Sequence, residues 1–290
     1  MPIDAAKALA APPRRAGIRW GHKDVQLYHL GIGAGANPDK ADPATDPDEL
    51  RYTLESRLHV LPSFATVAGA GMGMMSGLSA PGIDVDLAAV LHGGQSLALH
   101  RPIPASGEAT AASRVAAVYD KGKAAVLVLR SDVTDDQGPL WTSEAQLFVR
   151  GEGGFGGERG PSGRLDAPDR PCDRTVERPV RPDQALLYRL SGDWNPLHAD
   201  PEFAKLAGFD RPILHGLCTY GITLKAVVDT VLGGDVTRVR AYRTRFAGIA
   251  LPGETLRVGL WETPGRVQVA VTAPERDDAP VLADTVVEHA

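Results

Sequence analysis

The sequence is poor in cysteine, in basic excess and in long uninterrupted hydrophobic runs, and each shortage removes a class of protein. Two cysteines, Cys172 and Cys218, have neither metal-site nor redox spacing, which leaves two reduced thiols in a cytosolic protein. The formal net charge is −5, so a general nucleic-acid surface is excluded and an anionic ligand needs a local basic patch. Residues 58–83 contain no Asp, Glu, Lys or Arg, but Gly, Ala, Ser and Pro interrupt them; they read as a buried helix, not a membrane span. The start of the chain, with Asp4 and an Ala-rich run ending in Pro12-Pro13, is a poor signal peptide. The end, Glu288-His289-Ala290, is not the Ser-Lys-Leu peroxisomal address. A cytoplasmic location is expected.

Several chemical signatures are also missing. There is no G-x-S-x-G nucleophile elbow, no H-E-x-x-H and no cysteine-based metal pattern. Two segments imitate a dinucleotide fingerprint, Gly31-Ile-Gly33-Ala-Gly-Ala36 and Gly151-Glu-Gly153-Gly-Phe-Gly156. The first runs into Asn37-Pro38, and the second is followed by Pro161, Pro168 and Pro171, which forbid the helix that a pyrophosphate needs.

What is present is an internal repeat. Asp24-Val-Gln-Leu-Tyr28-His-Leu30 and later Asn37-Pro38 match Asp183-Gln-Ala-Leu-Leu-Tyr188-Arg-Leu190 and later Asn195-Pro196. Each half then offers a Pro-started apolar segment, Pro62 to Gly77 and Pro212 to Gly233, long enough for a helix of over four turns. Each closes with Val- and Leu-rich strands at 124–130 and 140–149, then 255–261, 266–272 and 280–288. A helix apolar most of the way round must be covered, and a curved antiparallel sheet can wrap it, so each half is an α+β unit. Two such units can pair their sheets edge to edge. The expected division is 1–150, a Gly/Pro-rich linker 151–181, and 182–290.

The chemistry concentrates in the second half. Asp193-Trp-Asn195-Pro196-Leu-His198 holds an acid, an amide and an imidazole within six residues. Asn195 before Pro196 stays extended, which projects Asp193 and His198 to one side, where they can hold one water between them. Pro212-Ile-Leu-His215-Gly216 is the start of the second long helix. Its orphan N–H groups favour negative charge, and glycine at 216 lets a ligand oxygen approach the backbone. Together these features imply an enzyme that adds or removes water.

Residues 188–198, Tyr-Arg-Leu-Ser-Gly-Asp-Trp-Asn-Pro-Leu-His, and 207–219, Ala-Gly-Phe-Asp-Arg-Pro-Ile-Leu-His-Gly-Leu-Cys-Thr, resemble the signature of the MaoC-like (R)-specific enoyl-CoA hydratases, or hydratase 2. The likeness continues through Val90-Leu-His92-Gly93-Gly-Gln95, Asp120-Lys121-Gly122 and Arg245-Phe246, so it spans both halves. It extends to the double-hotdog members, including the hydratase portion of peroxisomal multifunctional enzyme type 2. The resemblance implies a double hotdog, with a catalytic second half and a degenerate first half that binds acyl-CoA. It implies Asp193 and His198 as catalytic dyad, Asn195 as support of their loop, and the Gly216 N–H as oxyanion donor. His92, Gly93, Lys121 and Phe246 then contact the CoA thioester, with Trp194, Pro196 and Leu197 also at the substrate. No metal and no cofactor is implied, CoA being part of the substrate. A homodimer is implied, as is syn addition to trans-2-enoyl-CoA giving (3R)-3-hydroxyacyl-CoA, or its reversal.

The first half departs from the motif. Gly33 falls opposite Asp193, and no histidine follows Asn37-Pro38 at the equivalent place, so one active site per chain is expected. The stretch Gly69 to Met75 is a candidate lining for the acyl tail, with medium or long chains expected. The other readings are a dehydratase acting on acyl-carrier-protein thioesters, a thioesterase of the same fold, and a non-catalytic acyl-thioester-binding protein. The net negative charge weighs against docking an acidic carrier, and the complete Asp193, His198 and Gly216 set weighs against a non-catalytic role.

Overall fold

The computed structural model describes residues 3–69, 78–161, 164–166 and 168–290. Among them run ten strands: β1 Arg14–Trp20, β2 Val90–Leu99, β3 Gly107–Asp120, β4 Ala124–Asp135, β5 Gly138–Arg150, β6 Arg174–Pro179, β7 Val239–Phe246, β8 Thr255–Thr263, β9 Arg266–Ala273 and β10 Ala279–His289. The helices are α1 Ala5–Ala10, α2 His22–Gly31, α3 Pro47–Leu50, α4 Gln184–Tyr188, α5 Pro201–Leu206 and α6 Gly216–Val231. Short 3₁₀ turns lie between them. No helix among the described residues is long and apolar enough to cross a membrane.

All ten strands form one antiparallel sheet, in the order β1-β3-β4-β5-β2-β7-β10-β9-β8-β6. The order is the same read inward from either end, which is the internal repeat seen in three dimensions. The halves meet where β2 pairs with β7, from Gly94 opposite Arg245 to Ala98 opposite Ala241. That pairing removes the two inner edges a lone half would expose. In β9, Val267, Val269, Val271 and Ala273 alternate inward, each buried Val stabilising by about 1.5–3 kcal/mol.

Helix α6 is the centre of the second half. Every residue from Cys218 to Val228 is buried, so it must be covered on all sides. Strands β6, β7, β8 and β10 lie against it, with the 62–66 turn of the first half. Pro212 to His215 remain outside the helix, because Leu214 N–H donates to Ala250 O at 2.8 Å and His215 takes extended angles as N-cap. The helix ends in Gly233 and Gly234, both at positive φ, with Gly234 N–H donating back to Val228 O at 2.9 Å. Gly221 lets α2 come close. A Cβ there would lie 2.6 Å from Tyr28 Oη and 2.7 Å from Ile32 Cγ2. The two matching tyrosines of the repeat, Tyr28 and Tyr188, face each other at 6.1 Å between ring centroids.

A buried charged knot ties the first half to α6. Lys225 Nζ lies 2.7 Å from Glu49 Oε1 and 2.7 Å from Asp229 Oδ2. Glu49 also accepts from Gly35 N at 2.8 Å and Asn37 Nδ2 at 3.1 Å, and Tyr52 OH donates to Asp229 at 2.6 Å.

Two expectations change in part, and the reading of 151–156 as an imitation holds. The linker 151–181 contains strand β6, whose six residues pair with β8 and form the outer edge of the sheet in the second half. The helix expected from Pro62 to Gly77 begins as a 3₁₀ turn, Pro62–Thr66; residues 70–77, and with them most of the candidate acyl-tail stretch, lie outside the described residues. The Gly151-to-Gly156 imitation of a phosphate loop has its N–H groups taken by a protein carboxylate. Gly154 N–H donates to Asp120 Oδ1 at 2.9 Å and Gly156 N–H to Asp120 Oδ2 at 2.8 Å, which holds the Asp120 carboxyl below its usual range.

Candidate active site

The segment 188–198 reaches the start of α6 through a succession of local stops. Helix α4 tightens into a 3₁₀ turn at Arg189–Ser191, and Gly192, at φ 118°, turns the chain where a side chain would be strained. Asp193 follows, with one carboxylate oxygen accepting Asn195 N–H at 3.2 Å. Asn195 is extended before Pro196, and its Oδ1 caps the next turn by accepting Leu197 N–H at 3.0 Å. That 3₁₀ turn, Pro196–His198, carries His198 inward.

His198 is buried, and its Nδ1 lies 2.9 Å from Ile213 O. The carbonyl can only accept, so Nδ1 carries the proton and Nε2 keeps a free lone pair. Burial is the largest cause holding the His198 pKa below its ordinary value, ahead of the opposing bond to Ile213. The segment is tied to the α6 approach again by Ile213 N–H to Leu197 O at 3.4 Å.

Gly216 opens α6. Its N–H has no acceptor among the described residues, and the residue is exposed. It stands at the positive end of a sixteen-residue helix. The Phe246 ring covers its flank, with Cδ1 and Cε1 3.1 Å from where a Cβ would be.

The first half supplies a wall. Between His92 and Gly94 the β2–β5 register slips, His92 facing Leu147 and Gly94 facing Gln146, so Gly93 is a bulge. Bulges of this kind re-aim a side chain. The His92 ring packs edge-on against Phe246 at 4.8 Å and lies within the electrostatic reach of Asp193. Burial pushes its pKa down to about 4, and its Nε2 is buried without a partner.

One residue that sequence reasoning mentioned only as a helix marker is central. His215 stacks on His198, with ring centroids 3.7 Å apart and planes at 29°. Its Nε2 lies 3.3 Å from Asp193 O. One donor atom each from Asp193, His198 and His215 fall within 4.8 Å of one another. Planes tilted by 29° and stacked at this distance meet far beyond the about 2.0–2.1 Å of a Zn–N bond, so the geometry suits a shared water better than a shared cation. The position of His215 directly before Gly216 was the signal that could have found it.

The structure thus brings together Asp193, Asn195, His198, Gly216, His92, Gly93 and Phe246. Trp194 is largely exposed, its ring under the Arg189 guanidinium at 4.8 Å, with Pro196 and Leu197 in the capped turn beside it. Lys121 stands apart. The register His92–Leu147–Leu127–Val118 crosses three strand spacings, about 14 Å, before the β3–β4 turn is reached. There Lys121 Nζ donates to Arg159 O and Pro161 O.

A repeated sheet around a buried helix, with an acid and two imidazoles clustered at that helix's N-terminus, defines a double-hotdog protein of MaoC type. The chain belongs to the MaoC-like hydratase 2 family. Residues 164–276 match the MaoC like domain, and residues 19–151 match the MFE-2 hydratase 2 N-terminal domain. It is similar to "Enoyl-CoA hydratase ChsH3" of Mycobacterium tuberculosis, 49% identical over 98% of both chains. The crystal structure of a MaoC-like dehydratase from Phytophthora capsici superposes with a TM-score of 0.85 at 30% identity, covering 99% of each chain. A further Mycobacterium tuberculosis protein described as having a double hotdog fold superposes at 0.59 with 13% identity, covering 97% of either chain or more, a likeness of fold alone.

Proposed function

We propose that this protein hydrates trans-2-enoyl-CoA to (3R)-3-hydroxyacyl-CoA, or runs the reverse dehydration, in fatty acid metabolism. The observation that carries the chemistry is the separation of Asp193 and His198. Two hydrogen bonds of about 2.8 Å meeting at one water near the tetrahedral angle span about 4.6 Å, and an Asp193 carboxylate oxygen and a His198 ring nitrogen lie within 4.8 Å of each other. The likeness to enoyl-CoA hydratases along the whole chain supplies the substrate class.

The thioester carbonyl accepts from the Gly216 N–H. As water attacks C3, the C2–C3 π electrons move toward the carbonyl, and negative charge grows on that oxygen at the helix N-terminus; such a donor is worth about 10²–10³ in rate. His198 is neutral, with a free Nε2, and takes a proton from the water while its oxygen bonds C3. Asp193 accepts the other hydrogen of the water and stabilises the imidazolium. His198 then returns its proton to C2 on the same face, which makes the addition syn and completes the addition of one water. Reversal by the same steps gives dehydration.

His92, Gly93 and Phe246 form the wall beside the thioester. Trp194, Pro196 and Leu197 line its approach. Lys121, across the sheet, lies along an extended CoA and meets its anionic portion. Two unpaired cysteines fit a reducing cytoplasm, and we place the protein there as a homodimer.

Asp193→Asn and His198→Ala test the dyad. Each is expected to lower kcat for crotonyl-CoA hydration by about 10²–10⁴ with unchanged far-UV circular dichroism. Near-normal turnover by either folded variant excludes the dyad, and chiral analysis of the product checks the (3R) outcome.

A further inference from the structure

The mechanism above leaves His215 without a task, yet each catalytic element touches it or adjoins it. We propose that His215 is a positioning residue for the hydration, its ring a shelf for His198 and its Nε2–H a brace on the Asp193 loop, so that the water-holding pair and the Gly216 amide share one mount. The proposal rests on the hydratase reading.

Three contacts support it. The 3.7 Å stack fixes the tilt of the His198 ring, which its single bond to Ile213 O leaves free to pivot. The 3.3 Å contact from His215 Nε2 to Asp193 O requires Nε2 to be the donor, since a carbonyl only accepts. His215 is also the N-cap of α6, so any shift of its backbone moves the Gly216 N–H. Behind it lies Tyr188, at 4.9 Å between centroids.

The tautomer follows. With the proton on Nε2, Nδ1 keeps a lone pair, and this atom is buried without a partner. Burial, then the neighbouring His198, push the His215 pKa down to about 2 against the opposing pull of the Asp193 carbonyl. The titratable and charged groups facing it are Asp193, neutral His198, Arg189 and Tyr188. A neutral ring here adds no cation beside His198 at the moment it takes its proton. Phenylalanine could stack but not donate; glutamine could donate but stack only weakly. The two substitutions therefore separate the shelf from the brace.

The test uses the full chain with crotonyl-CoA. His215→Phe is expected to lower kcat by about 10²-fold, the effect of a small misplacement of reacting groups, with KM unchanged and the acid inflection of kcat/KM moved from its wild-type position. His215→Gln is expected to restore part of the loss. Wild-type kcat and an unmoved inflection in His215→Phe overturn the proposal, and a His215→Gln enzyme no faster than His215→Phe overturns the brace. If neither variant folds, imidazole nitrogen NMR of the wild-type protein decides. The Nε2–H tautomer of His215, neutral at every pH where the fold persists, is required, and an Nδ1–H tautomer refutes it. A wild-type protein that hydrates no enoyl-CoA instead overturns the hydratase reading and leaves the tautomer result to judge the brace separately.

Discussion

Lys225→Met probes the joint between the two halves. Lys225 is 5% exposed and Glu49 1% exposed, and Lys225 Nζ bridges Glu49 and Asp229 at 2.7 Å each. Methionine keeps most of the volume and removes the charge. Glu49 then retains Gly35 N–H and Asn37 Nδ2 as donors, but its charge is buried without a cation. Removing one partner of a buried pair costs about 3–5 kcal/mol, a large part of a total of about 5–15 kcal/mol. At about 2–4 °C per kcal/mol for a chain of this size, Tm should fall by about 6–20 °C. Thermal unfolding followed by circular dichroism measures this fall, and urea unfolding measures the free-energy loss, with the midpoint lowered and the slope unchanged. Glu49→Gln in the Lys225→Met background should recover stability, since the stranded charge is gone. A Lys225→Met midpoint within about 0.5 kcal/mol of wild type, the value of an exposed pair, refutes the argument. Because Lys225 lies nine residues from Gly216, about 13 Å along the helix, turnover by the folded variant should persist at low temperature.

Four further outcomes are expected. Hydration should lose its base as pH falls through the His198 pKa, which burial holds below the ordinary value of about 6.5; a pH profile of kcat/KM with its acid inflection above 6.5 contradicts this. Stability should also fall on acidification below about 6.5, because the unfolded chain takes up protons that His29, held near 3, and His92, held near 4, refuse in the fold; the profile is therefore read only where circular dichroism is unchanged. Gly221→Val should lower Tm, since even its Cβ meets Tyr28 Oη at 2.6 Å, with overpacking of this kind costing about 1–3 kcal/mol; an unchanged Tm contradicts the packing. Lys121→Ala should raise KM for CoA thioesters with little change in kcat, and an unchanged KM removes Lys121 from the substrate path.

The repeat, strands β4, β5, β8, β9 and β10 and the cluster from Asp193 to His198 were legible in the sequence, because each is written in local spacing. Alternation fixes which face of a strand is buried, as in β9. A proline after an asparagine fixes an extended backbone, as at Asn195. A glycine at the head of an apolar helix marks an open amide, as at Gly216. Strand β6 was missed because its residues are charged and Pro-flanked, and it is a strand only by pairing with β8. The glycines of 151–156 could be called a decoy, but their actual occupant, Asp120, lies some thirty residues away.

By itself, then, the sequence determined which groups of the second half could hold a water and which helix could face an oxyanion. Only the tertiary structure decided that His215 stacks on His198 and reaches Asp193, that Lys225 finds its acid in the other half, and that a bulge at Gly93 turns His92 toward the site. Those contacts join residues far apart along the chain. Their free energy comes from desolvation and packing geometry, and neither quantity exists until the two halves have closed on α6.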